Sequence, residues 1–175
     1  MPELSTTMLA ALKRGDYRIE PERSSIRIKV KANWGLQKVQ GAFRVVQGSL
    51  HVDDGGTLSA VSAVIDPASF DSRNGKRDKH ITSADFLDAQ RHPKISFAGD
   101  RVRSEGDGLV LTGTLTVHGV TESVDVHLVK ASMEGDAVRF AATARLDRTR
   151  FGVSHMPRRV GTDVELAIEA VAAPT

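Results

Sequence analysis

Leu109-Val110-Leu111-Thr112-Gly113-Thr114-Leu115-Thr116-Val117-His118-Gly119-Val120-Thr121-Glu122-Ser123-Val124-Asp125-Val126-His127-Leu128 is the stretch that settles the fold class. Leu109, Leu111, Gly113, Leu115 and Val117 recur at every second position, and His118-Gly119 turns the chain into a second alternating run. A period of two is the pattern of a strand with one dry and one wet face, and a two-residue turn between such runs makes antiparallel neighbours.

The same period spreads in both directions. Upstream, Ser25 to Lys31 alternates apolar with basic, and Val39, Gly41, Phe43 and Val45 continue it. Leu50 and Val52 end at the turn Asp53-Asp54-Gly55-Gly56, and Leu58 to Ile65 reads as a strand stopped by Asp66-Pro67. Downstream, Glu134-Gly135-Asp136 turns the chain into Val138, Phe140, Ala142, Ala144 and Leu146. A longer loop, Asp147 to Thr162, precedes a last strand through Val164, Leu166 and Ile168. Eight or nine strands on short connections must close into a barrel or stack as a sandwich to remove their edges.

Two stretches break the pattern. Leu4, Met8 and Leu12 share one helical face and Gly15 suits the stop, which predicts a short N-terminal helix over residues 1–15, leaving 16–175 as the β-domain. The second is Arg77-Asp78-Lys79-His80-Ile81-Thr82-Ser83-Ala84-Asp85-Phe86-Leu87-Asp88, closed by His92-Pro93. Here Thr82 or Ser83 is expected to cap a helical turn carrying Asp85, Phe86 and Leu87. A charged, aromatic-bearing insertion between strands is where a β-scaffold keeps recognition residues.

Composition excludes several classes. The chain has 175 residues, enough for one self-sufficient core, and no cysteine, so disulfides and thiolate chemistry are absent. Lys plus Arg number 24 against 22 Asp plus Glu, too even a balance to argue for nucleic acid. Arg27, Lys29 and Lys31 have no aromatic stacking platform on their own face. No run approaches the roughly 20 apolar residues of a membrane span, and the first residues lack a basic start with an apolar stretch, so a cytoplasmic protein without stable membrane insertion is expected. His80, Asp85, Asp88 and His92 match no helical metal motif, and no nucleophile elbow, phosphate loop or dinucleotide fingerprint occurs. The reading is therefore non-enzymatic, with no catalytic residue, metal or cofactor. Gly41, Gly113, Ala142 and Ala144 are small residues on the dry face, which either leave room for a ligand or make way for neighbouring aromatics. A closed eight-stranded sheet either fills itself or holds one small ligand.

Three ordered blocks resemble the signature of the YceI family: Arg77–Asp88 with Pro93-Lys94-Ile95-Ser96-Phe97; Leu111 to Thr121; and Arg148-Thr149-Arg150-Phe151-Gly152 with Val160-Gly161-Thr162-Asp163-Val164. Tyr17-Arg18-Ile19-Glu20 and Ser25-Ile26 resemble the family's first strands. The chain departs from the pattern at Leu87, at His92 before the proline and at Arg150. The resemblance implies an all-β, antiparallel, eight-stranded lipocalin-like barrel, with a short N-terminal helix and a helical insertion near residues 77–90. It also implies an isoprenoid lipid ligand, a polyprenyl phosphate or an isoprenoid quinone, carried or stored in the interior.

Under that reading the lining is Trp34, Phe43, Phe70, Phe86, Phe97, Phe140, Phe151 and Ala142, with Arg77 and His80 from the signature segment. Arg148, Arg158 and Arg159, crowded with Arg145, Arg150 and His155, are set to hold a charged head group, unless they pair with Asp147 and Asp163. The alternative is a barrel filled by its own side chains that serves as a structural or protein-interaction module, and a homodimer is compatible with either.

Overall fold

The alternating runs form the strands they predict. In the computed structural model, which describes residues 12–106, 108–156 and 159–175, they are β1 Gly15–Ile19, β2 Ser25–Ala32, β3 Gln37–Val52, β4 Leu58–Asp71, β5 Ile95–Glu105, β6 Gly108–Val117, β7 Val120–Glu134, β8 Ala137–Asp147 and β9 Val160–Pro174. Helix α1, Gly75–Thr82, lies between β4 and β5, and 3₁₀ turns occupy Pro21–Arg23 and Arg148–Phe151. Among the described residues no helix is long and apolar enough to cross a membrane.

Every pairing is antiparallel, and the sheet closes on itself through β3 with β4 and β2 with β9. Nine strands fill eight positions because β1 and β2 share one. β1 pairs with the Ser49–Val52 end of β3 and with Ala172–Pro174 of β9, while β2 takes Gln37–Phe43 and Val160–Glu169 of the same two neighbours. Between them, Pro21 has no N–H to offer the ladder. The break is repaired by Glu20 N–H donating to the Val171 carbonyl at 2.8 Å and Val171 N–H donating to Ser24 Oγ at 3.1 Å. Among the described residues the closed sheet has no terminal strand, which removes the hazard an open sheet of this length would carry.

Two expectations are corrected here. β4 does not stop at Asp66-Pro67 but runs on to Asp71 through a wide register shift, in which Ala42 to Arg44 of β3 face Asp71 to Asp66 of β4. Arg44 N–H donates to Ser69 Oγ and Ala68 N–H to the Asp66 carboxylate, so side chains satisfy the bulge and a proline is tolerated in it. The insertion helix is capped by Asn74, whose side chain accepts from Arg77 N–H at 3.1 Å. Thr82 and Ser83 end the helix instead of starting it, Ser83 N–H and Oγ both donating to the His80 carbonyl. The N-terminal helix expected from Leu4 and Met8 lies outside the described residues. Leu12 is buried, and Gly15, with φ +129°, already opens β1.

Inward side chains gather into two clusters at opposite ends. Tyr17, Leu50, Val52, Leu109, Val138 and Phe140 plug one end. Phe43, Phe70, Phe86, Leu115, Phe151 and Val153 close the other, beneath the segment that follows α1.

Candidate functional site

Between the two clusters the barrel interior holds a cavity of about 300 Å³. That is the lower end of the range usual for small-molecule sites. Its wall is apolar: Ile28, Ile65, Leu115 and Val124 from the strands, with Ala142 and Ala144 side by side on β8, and Arg148 as the one charged lining residue. The two alanines border the open space. The two glycines do not create it: a Cβ at Gly41 would collide with the Phe70 ring, and one at Gly113 would come within 2.8 Å of Phe97 and clash with the Ala98 carbonyl. Both readings of the small residues therefore hold, each for one pair.

The cover over the cavity is the turn after α1. Asp78 anchors the helix by accepting from Ser72 N–H and Ser72 Oγ. Leu87 N–H returns to the Ile81 carbonyl and Asp88 N–H to the Ser83 carbonyl, winding the chain so that Ile81, Phe86 and Leu87 all face the cavity. Phe86 is buried under the Arg148 guanidinium, which lies 5.5 Å from its ring centre.

Arg148 itself is a fastening. Its Nε donates to the Gly161 carbonyl at 3.0 Å, Nη1 to Val153 at 2.6 Å and Nη2 to Val160 at 2.8 Å, pinning the β8–β9 loop to the cover. Burial lowers its pKa, against which the neighbouring Asp147 carboxylate acts in the opposite sense. Asp147 accepts from Thr149 Oγ1 and Thr149 N–H, and those bonds hold its carboxyl below the usual range.

Of the residues expected at the site, Phe43, Phe86, Phe97, Phe140, Ala142, Arg148 and Phe151 line the cavity. Phe70 belongs to the covered end, its ring centre 5.1 Å from that of Phe43, but does not border the open space. Trp34 stands apart from it altogether. It sits at the tip of the β2–β3 hairpin with φ +57° and 75% of its surface exposed, because the tip lies beyond the last β2–β3 pair, Ala32 with Gln37, and so outside the barrel wall. Arg77 is half-buried with a buried Nε that lacks a hydrogen-bond partner among the described residues, and His80 bonds Asp85 at 3.0 Å while its ring edge meets Phe86.

Among the described residues the arginines do not converge on a head-group site. Arg145 pairs with Asp163 and Glu165 and Arg150 with Glu122, Arg159 is exposed, and Arg158 lies outside the described residues. The acidic and imidazole residues weighed as one cluster separate into two groups, His80, Asp85 and His155, and Asp88, His92 and His118. An open trough of about 1,240 Å³ crosses the outside of β2, β3 and β7–β9, but its charges alternate in sign and offer no net field.

The aromatic-centred lining missed most of the wall. Ile28, Ile65, Leu115 and Val124 occupy the inward parity of strands already read correctly, so parity alone names them. Ile81 and Val153 come from non-repeating segments and carry no such signal, and Val160 has the inward parity of β9 but falls in the stretch expected to be loop.

Comparison with known proteins agrees with this architecture. The UPF0312 protein of Vibrio parahaemolyticus is 34% identical over 165 residues, covering 89% of this chain and 87% of its own length. The UPF0312 protein of Pseudomonas putida is 31% identical over 179 residues, covering 96% and 93%. Among solved structures, Burkholderia cenocepacia BcnA superimposes with a TM-score of 0.78 at 21% identity, covering 87% of this chain and 98% of that one. A polyisoprenoid-binding domain from Saccharophagus degradans, implicated in plant cell wall breakdown, superimposes with a TM-score of 0.67 at 11% identity, covering 93% and 100%. The family model of the YceI-like domain matches residues 17–172, from β1 to within β9, and the chain belongs to the YceI family.

Proposed function

We propose that this barrel binds and carries one apolar chain of isoprenoid type, without catalysing a reaction on it. The observation that carries the reading is the interior cavity, walled by aliphatic and aromatic side chains, with Ile81, Phe86 and Leu87 contributed by the cover. Family membership and the polyisoprenoid-binding domain among the structural neighbours support the ligand class. An apolar tail gains up to about 0.8 kcal/mol for each CH₂ removed from water, so a few isoprene units outweigh the cost of immobilising them.

The cavity's modest volume favours a short chain, or the terminal units of a longer one leaving past Phe86. Arg145, Arg148 and Arg150 are already engaged by protein groups, which favours a neutral quinone head over a phosphate. Since Phe70 and Phe97 take the space above Gly41 and Gly113, a barrel that has filled itself is the competing reading.

Calorimetric titration with a short-chain isoprenoid quinone and with the matching isoprenyl phosphate separates the two. The quinone is expected to bind, the phosphate to bind no more tightly, and Ala142→Phe to weaken both by at least about tenfold, the effect of ~1.4 kcal/mol. Failure of both ligands to bind the wild-type chain would return the barrel to an interaction module. Unchanged binding by a folded Ala142→Phe variant would put the ligand outside the cavity.

A further inference from the structure

We propose that Asp88, His92 and His118 form a binding site for one divalent transition-metal ion at the rim of the barrel. The three come together from separate places: Asp88 and His92 from the turn after α1, His118 from the β6–β7 hairpin. Each offers a ligand atom, and these atoms all lie within 4.8 Å of one another. His92 N–H donates to the Asp88 carbonyl at 2.9 Å, closing a turn that brings His92 back beside Asp88. The His92 and His118 rings are 4.7 Å apart between centres and tilted by 56°.

Asp88 and His118 both adopt left-handed conformations, φ +47° and +56°, which Asp and His enter more readily than most residues; at His118 the two-residue β6–β7 turn, with Gly119 at φ +75°, requires it. Two glycines clear space for the rings. A Cβ at Gly119 would stand 3.0 Å from His92 Cε1, and one at Gly152 3.3 Å from His118 Nδ1.

Among the described residues, protein groups do little to satisfy the three. Asp88 keeps only 14% of its side chain exposed, yet its one ion pair among the described residues is to Arg91 at 3.9 Å, and Arg91 is 83% exposed. Neither His92 nor His118 makes a side-chain hydrogen bond to another described residue. The neighbouring group differs: His80 bonds Asp85 at 3.0 Å, with His155 at 3.8 Å, and so is satisfied as a hydrogen-bonded pair. Two imidazoles and one carboxylate suit zinc, nickel, cobalt or copper, whereas magnesium and calcium prefer all-oxygen sites. Bonds of about 2.0–2.2 Å require the donors to draw closer, which side-chain rotation supplies, and three protein ligands leave a position for water. Because Asp88 directly follows Phe86 and Leu87, an ion there ties the cavity's cover to the β6–β7 hairpin. That latching role rests on the proposed ligand binding, but the site does not.

The test is titration of the full, chelator-treated chain with Zn²⁺ by calorimetry and with Co²⁺ by visible absorption. One ion per chain is expected. Asp88→Asn, His92→Gln and His118→Asn should each weaken it by at least the roughly tenfold that even an outer-shell change costs, with His80→Gln unchanged. Zn²⁺ should also raise the Tm of the wild-type chain and not that of Asp88→Asn. Absence of Zn²⁺ binding by the wild-type chain overturns the proposal, whatever the variants do. So does binding that His80→Gln abolishes and His92→Gln leaves intact, since that places the ion at the other cluster.

Discussion

Arg148 shows how far a side chain's chemistry is set by its surroundings. In the sequence it is one of several arginines near the C-terminus, suited to an anionic head group. In the fold three of its N–H groups are spent on the carbonyls of Val153, Val160 and Gly161. Arg148→Ala therefore leaves those carbonyls without their donors, and a loss of about 2–3 kcal/mol is expected in chemical denaturation. A change below ~0.5 kcal/mol would contradict the fastening role. The carboxylates titrate in a definite direction. Asp125 is lowered first by the Thr112 hydroxyl and then by Arg103, Glu134 by the Arg139 hydrogen bond, and Asp147 by Thr149. Their folded values lie below their unfolded ones, so the stability they contribute is complete above the unfolded value near 4 and lost as pH falls through the folded one. The urea midpoint is thus expected to hold from pH 7 to about 5 and to fall below about 4, with a shallower fall in Asp147→Asn. A midpoint that rises on acidification would contradict this. Strand parity made the inward residues legible at this scale, but not what fills the space they face. Gly41 and Ala142 read alike in the sequence, yet one is occupied by Phe70 and the other borders the cavity.

At the scale of elements, the cover is the part whose formation the sequence described least well. Its turn chemistry is ambiguous: Asn74, Thr82 and Ser83 are all good capping residues, and only the anchoring of Asp78 on Ser72 decides that the helix begins at Asn74. Asn74→Ala is expected to cost about 1 kcal/mol, and to speed amide exchange in 75–82 while leaving β6 and β7 unaffected. Uniform acceleration across the barrel would mean that α1 and the sheet unfold as one unit. β4 was misjudged for a related reason. Asp66-Pro67 is a strong stop in isolation, but hydrogen bonds from Arg44 and Ala68 to the side chains of Ser69 and Asp66 carry the strand through a bulge. Trp34 illustrates the opposite error, in which bulk suggested burial although the residues around Gly35 form a left-handed hairpin tip.

For the whole molecule, the alternating runs and short turns were enough to specify antiparallel neighbours, and the three signature blocks enough to choose a barrel over a sandwich. Closure itself is not written at any one residue. It depends on β1 and β2 sharing a strand position around Pro21–Arg23, with Ser24 and Glu20 completing the ladder to β9. That closure separates two apolar plugs and leaves the cavity between them, a consequence of length and twist that no local pattern announces. The central claim is that this space takes an apolar chain. Native mass spectrometry of the purified protein, before and after organic extraction, tests it most directly. A bound mass in the isoprenoid range, released by extraction and restored by adding an isoprenoid quinone, is the predicted result. A single apo mass that stays unchanged after incubation with isoprenoid quinones and polyprenyl phosphates would contradict it.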